Sequence, residues 1–412
     1  MITDGSVPVK SNWIREKKNH RLQTGGRLVP FVFWVFSVFG FLSAGTNEAA
    51  WPVYHGDSTL RGIAACGLPD EISVQWRFKA GASVLVTPVV GGGRIYFVAD
   101  NGDLYALNMQ GEKVWSVSVA RDPAAKTNNA GQAEKFLTQP VFVNDAVVAG
   151  SDDGSLFALE AGTGKTMWKY PVGEINATAN WMEPGEGRGY SVVVISQTDA
   201  VVHRVDLKTG KQIWASQPIS RCDGSPGLNS NLVVFGSCDS ALHVLSADNG
   251  EATGRIGFGD DDGQIAGGVA MDGNMAFAGT RGGMAICAAV GKDKSEIIWT
   301  NRISRGELFA TPAVTTNRVV TASSDGKVYC LNRADGRNLW SFDTEGSPLS
   351  PVIALDKVVV SSEGTLYILK LDDGRKLLAE KVSDGISSPA VVDGRIIVGT
   401  DDGFVVMFGG KK

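Results

Sequence analysis

From residue 87 onward the chain alternates short apolar runs with polar joints. In "TPVVGGGRIYFVADNGDLYALNMQGEKVW" (residues 87–115) the runs TPVV, RIYFVA and LYAL, and a fourth carrying Trp115, are separated by clusters of Gly, Asn and Asp. Runs of this length, rich in Val, Ile, Tyr and Phe and bounded by turn formers, predict strands joined as hairpins. Within each run the apolar residues are consecutive rather than alternate, which is the pattern of a sheet covered on both faces.

The same pattern recurs. "DDGSLFALEAGTGKTMWKY" (residues 152–170) and "SDGKVYCLNRADGRNLWSF" (residues 324–342) share an acidic-Gly turn, an apolar run, a second turn ending on Gly, and a Trp. The first turn is found at Gly102, Gly154, Gly326, Gly364 and Gly403, with degenerate copies at Ala200, Ser240 and Gly283. Eight copies between residues 102 and 403 give a mean spacing of 43 residues, the length of a four-stranded propeller blade. The prediction is an all-β, eight-bladed β-propeller of four-stranded antiparallel blades, with seven blades as the alternative if one degenerate copy is not a sheet.

Trp115, Trp168, Trp214, Trp299 and Trp340 fall in the last strand of their units, four residues after the turn Gly or its equivalent, where a large indole can staple one blade to the next. Gly254 and Leu378 hold that place in two units, which are expected to dock less tightly. The last unit stops after its third strand. Trp76, in "EISVQWRFKAG" (residues 71–81), supplies the missing strand, and a ring closed in this way leaves no open edge to pair with another chain.

Units of the form D-G-x-[LV]-[YF]-[AC]-L-x-x-x-[TD]-G-[KR]-x-x-W resemble the repeats of the pyrroloquinoline quinone (PQQ) β-propeller superfamily over residues 51 to 410, and "WPVYHGDSTLRG" resembles the lead-in that precedes such propellers in bacterial secreted proteins. The resemblance implies a fold and leaves the function between two models. One is a quinone-dependent dehydrogenase holding PQQ and calcium in the central channel. The other is the cofactor-free, BamB-like propeller that scaffolds assembly at the outer membrane. The dehydrogenases commonly carry adjacent cysteines and large insertions, and this chain has neither.

Composition places the protein. Leu28 to Ala44 is an uncharged apolar run preceded by Lys10, Arg15, Lys17, Lys18, Arg21 and Arg27, which predicts an export signal or an N-terminal membrane anchor within residues 1–50. A lead-in at 51–70 and the propeller at 71–412 complete the organisation. Net charge is −5; residues 1–45 carry +4, which leaves −9 on the remainder and no electrostatic footprint for nucleic acid. The expected setting is the periplasm or cell envelope, the expected partner another envelope protein, and the only expected membrane contact the N-terminal segment if it is not cleaved.

The chemistry-bearing residues are sparse. No C-x-x-C occurs among the five cysteines, so a haem or zinc motif is not written here. Cys287 and Cys330 sit where other units place Ala106 and Ala158, as core residues. Cys222 and Cys238 bracket one hairpin, and the candidate disulfide between them competes with two free thiols. His203 and His243 replace the aromatic of the third strand. Asp-Gly pairs are what tight turns require; Asp260–Asp262 alone lies outside the repeat and is open to an ion. No catalytic, cofactor-binding or metal set is predicted. The candidate partner surface is the longest inter-blade connection, residues 120–137, with Lys126, Asn128, Asn129, Gln132, Lys135 and Phe136. Trp181 and Met182 are further exposed candidates, and Arg204 stands at a small-residue position.

Overall fold

The computed structural model describes residues 50–119, 135–185, 187, 189–259 and 261–411. Eight antiparallel sheets follow one another around a ring. Blades 1 to 7 take their four strands from residues 89–118, 141–171, 180–215, 227–257, 270–302, 313–343 and 352–381 in turn. Blade 8 takes three from residues 390–410, and its outermost strand is Ile72–Lys79, paired antiparallel with Phe404–Gly410 from Ile72 opposite Gly410 to Lys79 opposite Phe404. The expected eight blades and the N-terminal closure are both present.

Local sequence explains each blade. The second and third strands of blade 1, Arg94–Val98 and Asp103–Asn108, are buried along almost their whole length, as their consecutive apolar residues require. At the turn between them the glycines of the repeat adopt positive φ, and where the repeat is degenerate Ala200 (φ 46°) and Ser240 (φ 58°) adopt it too. The left-handed geometry is therefore kept even without Gly, at some cost to an L-residue. The acidic residue caps its own turn: Asp153 accepts from the Ser155 backbone N–H and Asp325 from that of Lys327, both at 3.1 Å.

The tryptophans act as expected, with a detail the motif did not reveal. Each Nε1–H donates to a backbone carbonyl of the following blade: Trp115 to Ala161, Trp168 to Leu207, Trp214 to Ala247, Trp299 to Arg333, Trp340 to Leu371 and Trp76 to Met109, at 2.7–3.1 Å. The ring covers that blade's turn glycine so closely that a Cβ on Gly164 would lie 2.9 Å from the Trp115 indole. Each outer strand also shifts register beside this residue, so that Val114, for example, is skipped between Lys113 and Trp115. A bulge of this kind re-aims a side chain and spoils an edge for further pairing.

The two departures have different causes. At Gly254 a Cβ would lie 2.8 Å from Ser295 of blade 5, so the next blade's own turn closes the gap. At Leu378 the next blade is blade 8, whose third and fourth strands are not joined by a turn because they come from opposite ends of the propeller. Blade 7 has no turn glycine to cover, and a cleft of about 460 Å³ remains between Leu377, Leu378, Ile72 and Lys357. Looser packing is thus seen at the ring closure and not at Gly254.

The lead-in has a structural role that its sequence did not disclose. It runs as a strap past the innermost strand of blade after blade: the backbone N–H groups of Val90, Phe142, Leu228, Met271, Val314 and Ile353 donate to the carbonyls of Trp51, Pro52, Ser58, Thr59, Arg61 and Gly62 at 2.7–2.9 Å. In blade 3 the Asn180 side chain substitutes, donating to Ser58 O at 2.8 Å while accepting from Trp181 N. The strap continues as Ile63–Ala64, parallel to the inner strand of blade 7, and Cys66 accepts from Gly394 N in blade 8. It crosses the end of the channel where first and second strands turn. The inter-blade connections form the opposite rim, which is left open by the described residues.

Candidate partner-binding face

On the open rim, each connection approaches its next blade in extended form, so neighbouring side chains point in opposite directions. Val84, Phe136, Leu308 and Pro348 point inward and are buried. The residues that follow them, Leu85 (50% exposed), Leu137 (51%), Phe309 (43%) and Leu349 (39%), point outward. These belong to blades 1, 2, 6 and 7. The corresponding outward residues of blades 3, 4 and 5 are Asn176, Asp223 and Ala266, after buried Ile175, Cys222 and Ile265. Blade 8 has buried Ser387 at this place, so the rim is divided into an apolar arc, contributed by blades 6 and 7 on one side of blade 8 and blades 1 and 2 on the other, and a polar arc over blades 3 to 5. A set of exposed large apolar side chains repeated at equivalent positions marks an interaction surface more strongly than scattered single residues do.

The polar arc is internally paired. Arg221 meets Asp223 at 3.1 Å, Arg302 meets Asp262 at 3.0 Å, and Arg281 lies 5.2 Å over the Phe309 ring at the border with the apolar arc. Asp262, from the acidic run outside the repeat, is thus engaged with an arginine. Among the described residues no group of three His, Cys, Asp or Glu side chains is placed to hold a metal ion.

On the side of the apolar arc the channel opens into a cavity of about 310 Å³. Its floor is Tyr54 of the strap, whose hydroxyl lies 2.5 Å from Ser350 Oγ and donates to Thr311 Oγ1 at 3.1 Å. Burial raises the Tyr54 pKa, against hydrogen bonds from Ser350 and Thr311 that lower it, so the phenol is neutral. Thr87, Gln139, Ser323 and Ser388 contribute to the wall and Leu85, Phe309 and Leu349 to the lip; among the described residues that line it, none is charged.

The residues singled out in the sequence are distributed as follows. Lys135 is exposed, while Phe136 is a core residue at 4% exposure, edge-on to Phe157, and is corrected from the candidate surface. Lys126, Asn128, Asn129 and Gln132 lie outside the described residues, as do residues 1–49. The candidate bridge is not formed: Cys222 and Cys238 are free, and burial pushes the Cys222 thiol up to about 12. Cys287 and Cys330 are buried opposite Trp299 and Trp340. His243 stacks on Phe235 and bonds Asp239, and His203 bonds Tyr170. Trp181 and Met182 lie within the first strand of blade 3, Asn180–Met182, with Met182 buried rather than exposed beyond the sheet. Arg204 is buried and donates to Ser191 Oγ and Ala247 O, so a neutral acceptor set is among its partners.

The apolar arc was missed in the sequence because each of its members is one residue in a connection. The available signal was an apolar pair shortly before Thr-Pro, Gln-Pro or Ser-Pro: Val84-Leu85, Phe136-Leu137, Leu308-Phe309 and Pro348-Leu349.

Comparison with known proteins agrees with this architecture. A curated relative, the outer membrane protein assembly factor BamB of Bordetella pertussis, is 23% identical over 282 residues, which are 68% of this chain and 60% of that protein. Among solved structures, BamB from Moraxella catarrhalis superposes with a TM-score of 0.62 at 18% identity, covering 83% of this chain and 98% of that one. The quinohemoprotein alcohol dehydrogenase of Comamonas testosteroni gives 0.70 at 13% identity, covering 88% and 81%. At these identities the superpositions speak to the fold alone. The family profile for outer membrane protein assembly factor BamB matches residues 71–253 and 239–385, most of the propeller, and the chain belongs to that family.

Proposed function

We propose that this chain is an exported, non-catalytic propeller that acts as a protein-binding and assembly scaffold in the cell envelope, with its partner docked on the open rim. The observation that carries this reading is the apolar arc of Leu85, Leu137, Phe309 and Leu349. Family membership and the relative's printed role in outer membrane protein assembly support an envelope protein as the partner. Export rests on the basic segment and the apolar run Leu28 to Ala44.

The quinoprotein alternative asks the channel to hold PQQ, an aromatic tricarboxylate, together with calcium. The residues present do not suit it: the described lining of the open mouth offers hydroxyls, an amide and aliphatic groups, with neither a cation for the carboxylates nor an acidic set for a hard metal ion.

The test is a Leu85→Glu/Phe309→Glu double variant, purified by affinity tag after mild crosslinking in intact cells. The partner recovered with the unsubstituted chain should fall at least tenfold while the melting temperature is unchanged. Undiminished recovery removes the rim from consideration. Incubation with PQQ and calcium should give no dye-linked oxidation of alcohols or sugars, and turnover would favour the enzyme.

A further inference from the structure

We infer that the blind channel mouth is a receptacle for an uncharged loop of the docked partner, whose peptide groups bond to the hydroxyl wall and whose apolar side chains rest on the lip. The inference rests on the scaffold reading above and adds what enters the channel.

Four observations lead to it. First, the mouth is closed below: the strap bonds to the inner strands of successive blades and sets Tyr54 across the channel. Whatever enters must terminate or turn back there, as a loop does and a through-running chain does not. Second, the wall is polar without charge among its described residues: Tyr54, Thr87, Gln139, Ser323, Ser350 and Ser388 present hydroxyls and an amide. Desolvating a charged group there would be costly, whereas neutral peptide N–H and C=O groups find donors and acceptors. Third, the Oε1 of Gln139 is buried and has no hydrogen-bond partner among the described residues, an acceptor that an incoming N–H would satisfy. Fourth, the lip is formed by Leu85, Phe309 and Leu349, three members of the arc on which the partner is proposed to dock. The cavity is thus continuous with that surface. This continuity favours a protein loop over a free sugar, which would meet the same hydroxyls without covering the rest of the arc. At about 310 Å³ the cavity holds the volume of roughly ten waters, enough for the tip of a loop.

Ser388 is half-buried and lines the mouth without belonging to the lip. The experiment places a benzoylphenylalanine photocrosslinker at position 85 and measures the yield of partner adduct in intact cells, in the otherwise native chain and with Ser388→Glu, Ser388→Lys or Ser388→Gln. Melting temperatures confirm that each variant is folded. An uncharged occupant makes both charges harmful: Glu and Lys should each lower the yield at least fivefold, with Gln within twofold of native. The adduct from the native chain should map by mass spectrometry to a segment next to an uncharged turn. A loss with only one sign of charge identifies a charged occupant and overturns the inference. Unchanged yields in all three variants show that nothing enters the mouth and overturn it while the scaffold reading stands. No adduct from position 85 even in the native chain overturns both.

Discussion

At the scale of single residues, the indole of one blade and the turn glycine of the next form one unit. Trp115 donates to Ala161 O and covers Gly164, which sits at φ 73°. Removing the ring leaves a cavity and takes one of two donors from the Ala161 carbonyl, which keeps the Tyr96 hydroxyl, so Trp115→Ala should destabilise the protein by about 3–5 kcal/mol. Gly164→Ala adds a methyl where the indole already lies and strains the backbone, for an expected loss of about 2 kcal/mol. Urea unfolding followed by circular dichroism checks both. If Gly164→Ala is neutral, the indole is not seated on the turn.

His55, in the strap, gives the pH dependence. Its ring nitrogens lie 2.7 and 2.8 Å from the carbonyls of Leu60 and Pro351, yet burial outweighs them and holds its pKa below the ordinary histidine value. The folded ring therefore takes up a proton at a lower pH than the unfolded chain does. Its contribution to stability is complete above about pH 6.5 and declines as the pH falls below that value. The urea midpoint should drop between pH 7.5 and 5.5, and drop less in His55→Gln. Equal slopes would show that the ring is not buried in its neutral form. His203 shifts in the same direction, so the difference between the two chains, and not the slope of either, is the measure.

At the scale of elements, the strands, their number and the closing partner could be read in advance because each leaves a periodic trace: apolar runs, acidic-Gly turns and Trp at a spacing of 43 residues. Trp76 revealed the closing strand because it repeats the position of Trp115. The strap could not be read, since its bonds come from backbone carbonyls and carry no residue signature. The outer-strand bulge was equally hidden, because Val114, Met167 and Ile213 look like ordinary strand residues until the partner register is known. Phe136 was misplaced because an exposed connection was assumed to be exposed throughout, whereas its extended backbone alternates inward and outward. Removing residues 51–68 while keeping the closing strand should lower the melting temperature by several degrees, since six inner-strand N–H groups lose their acceptors. An unchanged melting curve would mean that water replaces the strap at no cost.

At the scale of the whole molecule, the ring is asymmetric in two ways that matter for function. Along its axis, one mouth is crossed by the strap and the other is left open by the described residues. Around its axis, the open rim is apolar over blades 6, 7, 1 and 2 and polar over blades 3 to 5. A ring with one divided face is suited to holding a partner in a single orientation, with the apolar arc supplying contact area and the paired charges of the polar arc limiting where it extends.

The most direct measurement is a scan with benzoylphenylalanine at the seven outward positions 85, 137, 176, 223, 266, 309 and 349, in intact cells; blade 8 is left out because its equivalent residue, Ser387, is buried. Adducts with one envelope protein are expected from positions 85, 137, 309 and 349 and are not expected from 176, 223 and 266. Equal yields around the ring, or adducts from the polar arc alone, would contradict the assignment of the partner-binding face.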